Sequence, residues 1–133
     1  MKLAAAIRRG AGLGKQCFDQ YVRLVGIDPD TWDGKIHSCA LGAALLATRE
    51  WDVPRARRWR KALALAIDDE ISWDVGQAFP VLLEPFRGAC PVTGCAEFPN
   101  KYAKRLDLVV HLNDEHFWSR EDVADWIEAG RWG

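Results

Sequence analysis

The sequence is short of the side chains from which most small-protein chemistry is built. Three histidines and four cysteines are the whole supply of imidazole and thiol groups in 133 residues. It has no HExxH pair, no GxGxxG fingerprint and no GxSxG elbow, which removes the commonest metalloprotease, dinucleotide and serine-hydrolase readings. Apolar runs such as Ala43–Ala47 are far short of the ~20 residues a bilayer span needs. The opening MKLAAAIRRG has too short an apolar core for a secretory leader, and no small-residue cleavage site follows. A cytoplasmic protein with no membrane partner is therefore expected.

Charge of one sign is also missing, since the net charge is −1. The balance is uneven along the chain. Residues 1–66 carry 12 Lys/Arg against 6 Asp/Glu, and residues 67–133 carry 6 against 13. Such a split can mark an anionic partner at one end; it equally fits two halves that pack together and intermix their charges. Hydrophobic residues make up 49% and charged residues 28%, the balance of a globular protein. The length suits a single domain over 1–133. Seven tryptophans point mostly to buried anchors, with one or two left for a binding surface.

Periodicity predicts a mainly α, single-domain fold with an irregular, Pro-rich middle. Leu3 and Ile7 share a face of a first helix, and Phe18, Val22 and Val25 suggest a second over 16–25. IDPDTWDG, 27–34, is a turn. SCALGAALLATREW, 38–51, reads as a closely packed helix capped by Ser38. A further helix is expected from Pro54 to about Ile71. Pro80, Pro85, Pro91 and Pro99 break the stretch 72–100. Leu106–Leu112 is ambiguous and is assigned to helix. Ser119 caps the last helix, whose buried face is Val123, Trp126 and Ile127, expected to pack against the CALGAALL helix.

Two apparent motifs fail. GAGLGK, 10–15, would need glycine at Arg9 and Ser or Thr at Gln16 to be a phosphate loop. DPDTWDG begins like a calcium loop at Asp28 and Asp30, but then places Asp33 where glycine is required and Cys39 where glutamate is required. The last helix is a poor reader of DNA, because Glu121, Asp122, Asp125 and Glu128 would repel phosphate.

Three groups of residues remain. The first is Cys90 and Cys95, a Cys-x4-Cys turn, with His37, Cys39, His111 and His116 as further donors. Four such ligands make a zinc site; the tight Cys-x2-Cys knuckle is absent because residue 93 is threonine. Inert buried thiols are the alternative. The second is RARRWRK, whose Arg55, Arg57, Arg58, Arg60 and Lys61 surround Trp59 at the start of a helix that ends in Asp68, Asp69 and Glu70. Both ends oppose the helix dipole, which suits an anionic partner; the alternative is a solvated face beside the acidic half. The third is HLNDEHFW, 111–118. There His116 could act as acid or base with Asp114 orienting it, or Asn113 and Asp114 could bond the backbone of a corner.

With CALGAA (39–44), HLND (111–114) and WSREDVADWI (118–127) identified, the chain resembles a loose group of small uncharacterised proteins of phages, prophages and bacteria. Some of these carry a Cys-Pro-x-Cys-Gly turn, where this chain has CPVTGC. The resemblance implies an accessory protein of mobile elements and no particular reaction. The expectation is thus a non-enzymatic protein, of anti-defence or host-modulating type, that binds a host protein or an anionic small molecule through the basic helix. The alternatives are a zinc-containing structural or hydrolytic protein, with zinc the one cofactor foreseen, and a nucleic-acid binder through residues 55–61.

Overall fold

Alanine, leucine and one glycine fill residues 40–47, and all eight positions are buried. A helix apolar on every side has to lie in the middle of a fold, and this one does. The structure is a computed structural model; it describes residues 2–19, 21–25, 35–49, 67–97 and 103–132. In chain order the elements are α1 (Leu3–Ala11), β1 (Val22–Val25), β2 (Lys35–Ser38), α2 (Ala40–Arg49), α3 (Ile67–Ala78), a 3-10 turn (Pro80–Leu83), α4 (Arg105–Asp114) and α5 (Arg120–Glu128). The described chain is mainly helical, as its periodicity indicated. No described helix is long and apolar enough to cross a membrane.

α2 is packed by α1, α3, α4 and α5. α1 lies closest, because Gly10 lets the backbones touch. A Cβ placed there would stand 1.7 Å from the carbonyl oxygen of Ala43. Leu3, Ala6, Ile7 and Gly10 form the buried stripe of α1, the i, i+3, i+4 pattern of an amphipathic helix. Leu41, Leu46, Val75, Leu82, Leu108, Val109, Leu112 and Val123 complete the fully buried centre.

Several expectations are corrected. Residues 22–25 form a strand, not helix: β1 pairs antiparallel with β2, Val22 opposite Ser38 and Val25 opposite Lys35. β-branched Val22 and Val25 favour the strand; the turn expected over 27–34 lies outside the described residues. Ser38 ends β2 and does not cap α2. Cys39 does so: its sulfur accepts the Gly42 N–H at 3.4 Å and its carbonyl accepts the Ala43 N–H at 2.9 Å. Helix α3 runs on to Ala78, well past Ile71, because no proline interrupts it before Pro80. The start of that expected helix, with the basic cluster Arg55–Lys61, lies outside the described residues.

α5 is as expected at its start: Ser119 Oγ accepts the Asp122 N–H at 3.0 Å, with Glu121 and Asp122 in the positive first turn. Its packing differs. α5 lies mainly on α1 and only lightly on α2; Val123 and Ala124 are fully buried, whereas Trp126 and Ile127 are half-buried. Arg8 of α1 reaches Glu121, Asp125 and Glu128 on α5. These carboxylates raise the pKa of its guanidinium. At this helix pair one positive charge of the N-terminal half meets three negative charges of the C-terminal half.

The Pro-rich middle is held at both ends. The Phe86 N–H donates to Ala103 O and the Arg105 N–H to Glu84 O, each at 2.9 Å. The Arg105 guanidinium also pairs with Glu84 at 2.8 Å and stacks 5.3 Å over Trp132. These bonds lay residues 86–97 against the side of α4.

Candidate metal centre

The loop so anchored contains both cysteines of the Cys-x4-Cys turn. Its reversal is made at 92–95, where the Cys95 N–H donates to Val92 O at 3.2 Å. Gly94 supplies the positive φ, +84°, that such a turn demands at its third residue. Cys95 is thereby brought back beside Cys90. The other two donors come from the end of α4. His111 lies in its last turn and is 6% exposed. His116 follows two residues after the helix, and Phe117, at φ +54°, turns the chain back so that the Trp118 N–H meets Leu112 O at 3.0 Å.

The result is a cluster of two sulfurs and two imidazoles. Cys90 Sγ lies 3.4 Å from His116 Nε2, Cys95 Sγ lies 3.3 Å from His111 Nε2, and the two Nε2 atoms are 3.0 Å apart. The donor atoms of all four residues lie within 4.8 Å of one another, so the cluster can hold a metal ion. A tetrahedral zinc with bonds of about 2.3 Å to sulfur and about 2.05 Å to nitrogen sets S and N about 3.6 Å apart and two N about 3.3 Å apart. The observed contacts fall a few tenths of an ångström inside those values.

Protonation states favour the imidazole half of this arrangement. Burial, and the charge of His116 second, lower the pKa of His111 against the opposing pull of Glu97, so its ring is neutral and able to coordinate. Glu97 Oε2 lies 3.2 Å from His111 Nδ1. A proton on Nδ1 directed to that carboxylate leaves the Nε2 lone pair for the cluster, the usual outer-shell arrangement of a metal-bound histidine. Burial raises the pKa of the Cys90 thiol, and its hydrogen-bonded neighbour Cys95 adds to this; without a cation, Cys90 holds its proton.

Of the six donors singled out from the sequence, the structure brings these four together. Two are corrected. Cys39 is buried at the start of α2, capping it, and desolvation pushes its thiol up to about 12. His37 lies on β2, opposite Arg23 of β1. Neither belongs to the cluster; His37 is taken into a hairpin that the sequence pattern did not reveal. Glu97 was not singled out; only the folded loop shows that the carboxylate two residues after Cys95 faces His111.

Asn113 and Asp114 hold the corner together. Asn113 Oδ1 accepts from Gln16 Nε2 at 2.8 Å and from the Ala40 N–H at 3.3 Å, and its amide donates to Cys17 O at 3.2 Å. Asp114 accepts from the Asn113 amide and the Asp19 N–H. His116 turns instead to Cys90 and His111. Arg120 donates to Ser38 Oγ at 3.0 Å and Gly14 O at 2.7 Å. The CALGAA, HLND and WSRE segments therefore meet in space: Asn113 bonds Ala40, and the Trp118 N–H bonds Leu112 O.

Compared with known proteins, the chain matches no family model, no curated protein and no solved structure.

Proposed function

We propose that this chain is a zinc-binding protein in which Cys90, Cys95, His111 and His116 hold one ion in a structural site. The observation that carries the reading is the convergence of two sulfurs and two Nε2 atoms within 4.8 Å. Zinc suits the donor set: two thiolates and two imidazoles are borderline-soft, and zinc accepts them tetrahedrally. Magnesium and calcium prefer oxygen ligands. The site is structural rather than hydrolytic because four protein ligands leave no coordination position for water. Its mechanical effect is to clip the irregular loop 86–97 onto the end of α4. The outer-shell contact from Glu97 to His111 supports the same reading.

A closed site of this kind supplies no reaction of its own. That agrees with the non-enzymatic accessory role implied by the resemblance to phage and prophage proteins. The zinc reading is tested by preparing the protein metal-free, adding one equivalent of zinc and measuring both the intact mass under native conditions and the melting curve. One bound zinc with a higher Tm is expected. A bare mass and an unchanged melt would remove the assignment.

A further inference from the structure

The four donors of the metal cluster are divided between two parts of the chain. Both sulfurs, of Cys90 and Cys95, stand on loop 86–97, and both imidazoles, of His111 and His116, stand at the end of α4. Each Cys–His contact therefore crosses from loop to helix: Cys90 Sγ to His116 Nε2 at 3.4 Å, and Cys95 Sγ to His111 Nε2 at 3.3 Å. A metal ion bound to all four is a bond between the loop and the helix. A bond between the two sulfurs alone would stay within the loop.

The loop brings its sulfurs together by its own turn. The Cys95 N–H donates to Val92 O at 3.2 Å and Gly94 takes φ +84°, which returns Cys95 to Cys90. The two sulfurs lie within 4.8 Å of each other. Closing that gap to the ~2.05 Å of a disulfide needs movement only within this turn, because both residues belong to it. The two remaining cysteines, Cys17 and Cys39, are 4% and 5% exposed. Cys95 is partly exposed, so a small oxidant can reach its sulfur from solvent. Zinc also holds both sulfurs as thiolates, the form that attacks an oxidant; without a cation Cys90 keeps its proton.

We propose that the cluster is a redox switch, in which hydrogen peroxide joins Cys90 to Cys95 as a disulfide, zinc leaves, and the tip of loop 86–97 is released from the end of α4. The inference rests on the zinc reading above. The Cys95 thiolate attacks one peroxide oxygen; the O–O bond breaks, giving a sulfenic acid and a hydroxide. The Cys90 thiolate then attacks the Cys95 sulfur; the S–S bond forms and the S–O bond breaks, releasing a second hydroxide. Two electrons pass from the sulfurs to the peroxide, and two protons from solvent convert the hydroxides to water. Zinc is left with two imidazoles where it had four ligands, and it dissociates. The roots of the loop stay bonded, Phe86 N–H to Ala103 O and Arg105 N–H to Glu84 O, so the change is confined to the tip of the loop and the end of α4 that it covers.

The test is to load the full chain with one equivalent of zinc, confirm the bound ion by native mass, and add hydrogen peroxide in the presence of a chromogenic zinc chelator. One zinc released per chain is expected, with the protein lighter by two hydrogens and peptide mapping placing the disulfide between Cys90 and Cys95. Cys17 and Cys39 should remain thiols, alkylated only after unfolding. Amide exchange should quicken at 90–97 and 111–117 and stay as before in α1 and α2, and dithiothreitol with fresh zinc should reverse every change. Zinc retained under peroxide, oxygen added to the sulfurs in place of a disulfide, a disulfide to Cys17 or Cys39, or unchanged exchange at 90–97 after oxidation would each overturn the switch. Failure of the zinc reading itself is seen earlier and separately, as a chain that takes up no zinc before any oxidant is added.

Discussion

The Nε2 atoms of His111 and His116 face each other across 3.0 Å, with their rings nearly perpendicular. Two imidazole lone pairs cannot occupy that gap without something positive between them. In the absence of metal the something is a shared proton; a zinc ion satisfies both nitrogens and the adjacent sulfurs at once. Replacing His116 with alanine is expected to abolish stoichiometric zinc binding, measured by competition with a chromogenic chelator. Unchanged stoichiometry would show that the metal is held elsewhere.

Glu97 tests whether the cluster has an outer shell. Glu97→Gln keeps a hydrogen-bond acceptor for His111 Nδ1 but removes the charge. A loss of roughly 10–100-fold in zinc affinity is expected, with the metal-free protein melting as before. An affinity equal to wild type would reduce the 3.2 Å contact to an incidental surface pairing.

Acid should act on the metal-free and zinc-bound forms in the same direction, for different reasons. His111 has a lowered pKa in the folded chain, so the native state binds fewer protons than the unfolded one. Its contribution to stability is present above the ordinary histidine pKa of about 6.5 and is lost as pH falls below it. In the zinc-bound form the thiols must also stay deprotonated. Cys90 starts protonated because its pKa is raised, so zinc entry expels protons and affinity climbs with pH. Calorimetry in buffers of different ionisation enthalpy would count them, and a buffer-independent heat would contradict this.

Thiol chemistry should divide the cysteines into two classes. Cys17 and Cys39 are buried in the N-terminal half, 4% and 5% exposed, and Cys39 is pushed up to about 12. Iodoacetamide on the native protein is expected to spare both and to modify Cys95 before Cys90, and zinc should protect that pair. Mass mapping reads the order directly.

Two packing substitutions probe the frame around the site. Gly10→Ala would drive a methyl group into the Ala43 carbonyl and is expected to cost about 3 kcal/mol, since overpacked backbone must separate. Asn113→Ala would orphan the Ala40 N–H and the Cys17 carbonyl, at a cost of about 2–3 kcal/mol. Denaturant melts measure both. A change within 0.5 kcal/mol, the ordinary range for a surface substitution, would show that the helices have room the structure does not grant them.

What was legible in the sequence follows from how local each signal is. Ser119 announces α5 because a cap is a short-range device. α4 is legible because no breaker follows Asn100 and Leu106 and Val109 stand at helical spacing; the fully buried Leu108, Val109 and Leu112 bear this out. The β1–β2 hairpin was missed because Phe18, Val22 and Val25 mimic a helical stripe and only pairing with 35–38 reveals the strand. The four clustered donors are all among the candidate ligands, but sorting four from six requires knowing that β2 takes His37 and the start of α2 takes Cys39. Thr93 broke the familiar knuckle; the positive φ of Gly94 restores the convergence by returning Cys95 to the cluster, a consequence of turn geometry that spacing does not express. The packing of α5 onto α1 depends on Arg8, more than a hundred residues from its partners.

All four donors come from one stretch of chain, and the outermost pair, Cys90 and His116, are only 26 residues apart. Short loops close quickly and at low entropic cost. The cluster can therefore assemble from its own stretch of chain, without waiting for the long-range docking of α1 across α2. An ion captured at that stage would act as a folding nucleus, ordering the proline-broken segment first and presenting a finished α4 end for Asn113 to bind. In that sequence of events a bound metal would set the order in which the chain folds as well as the stability of the result.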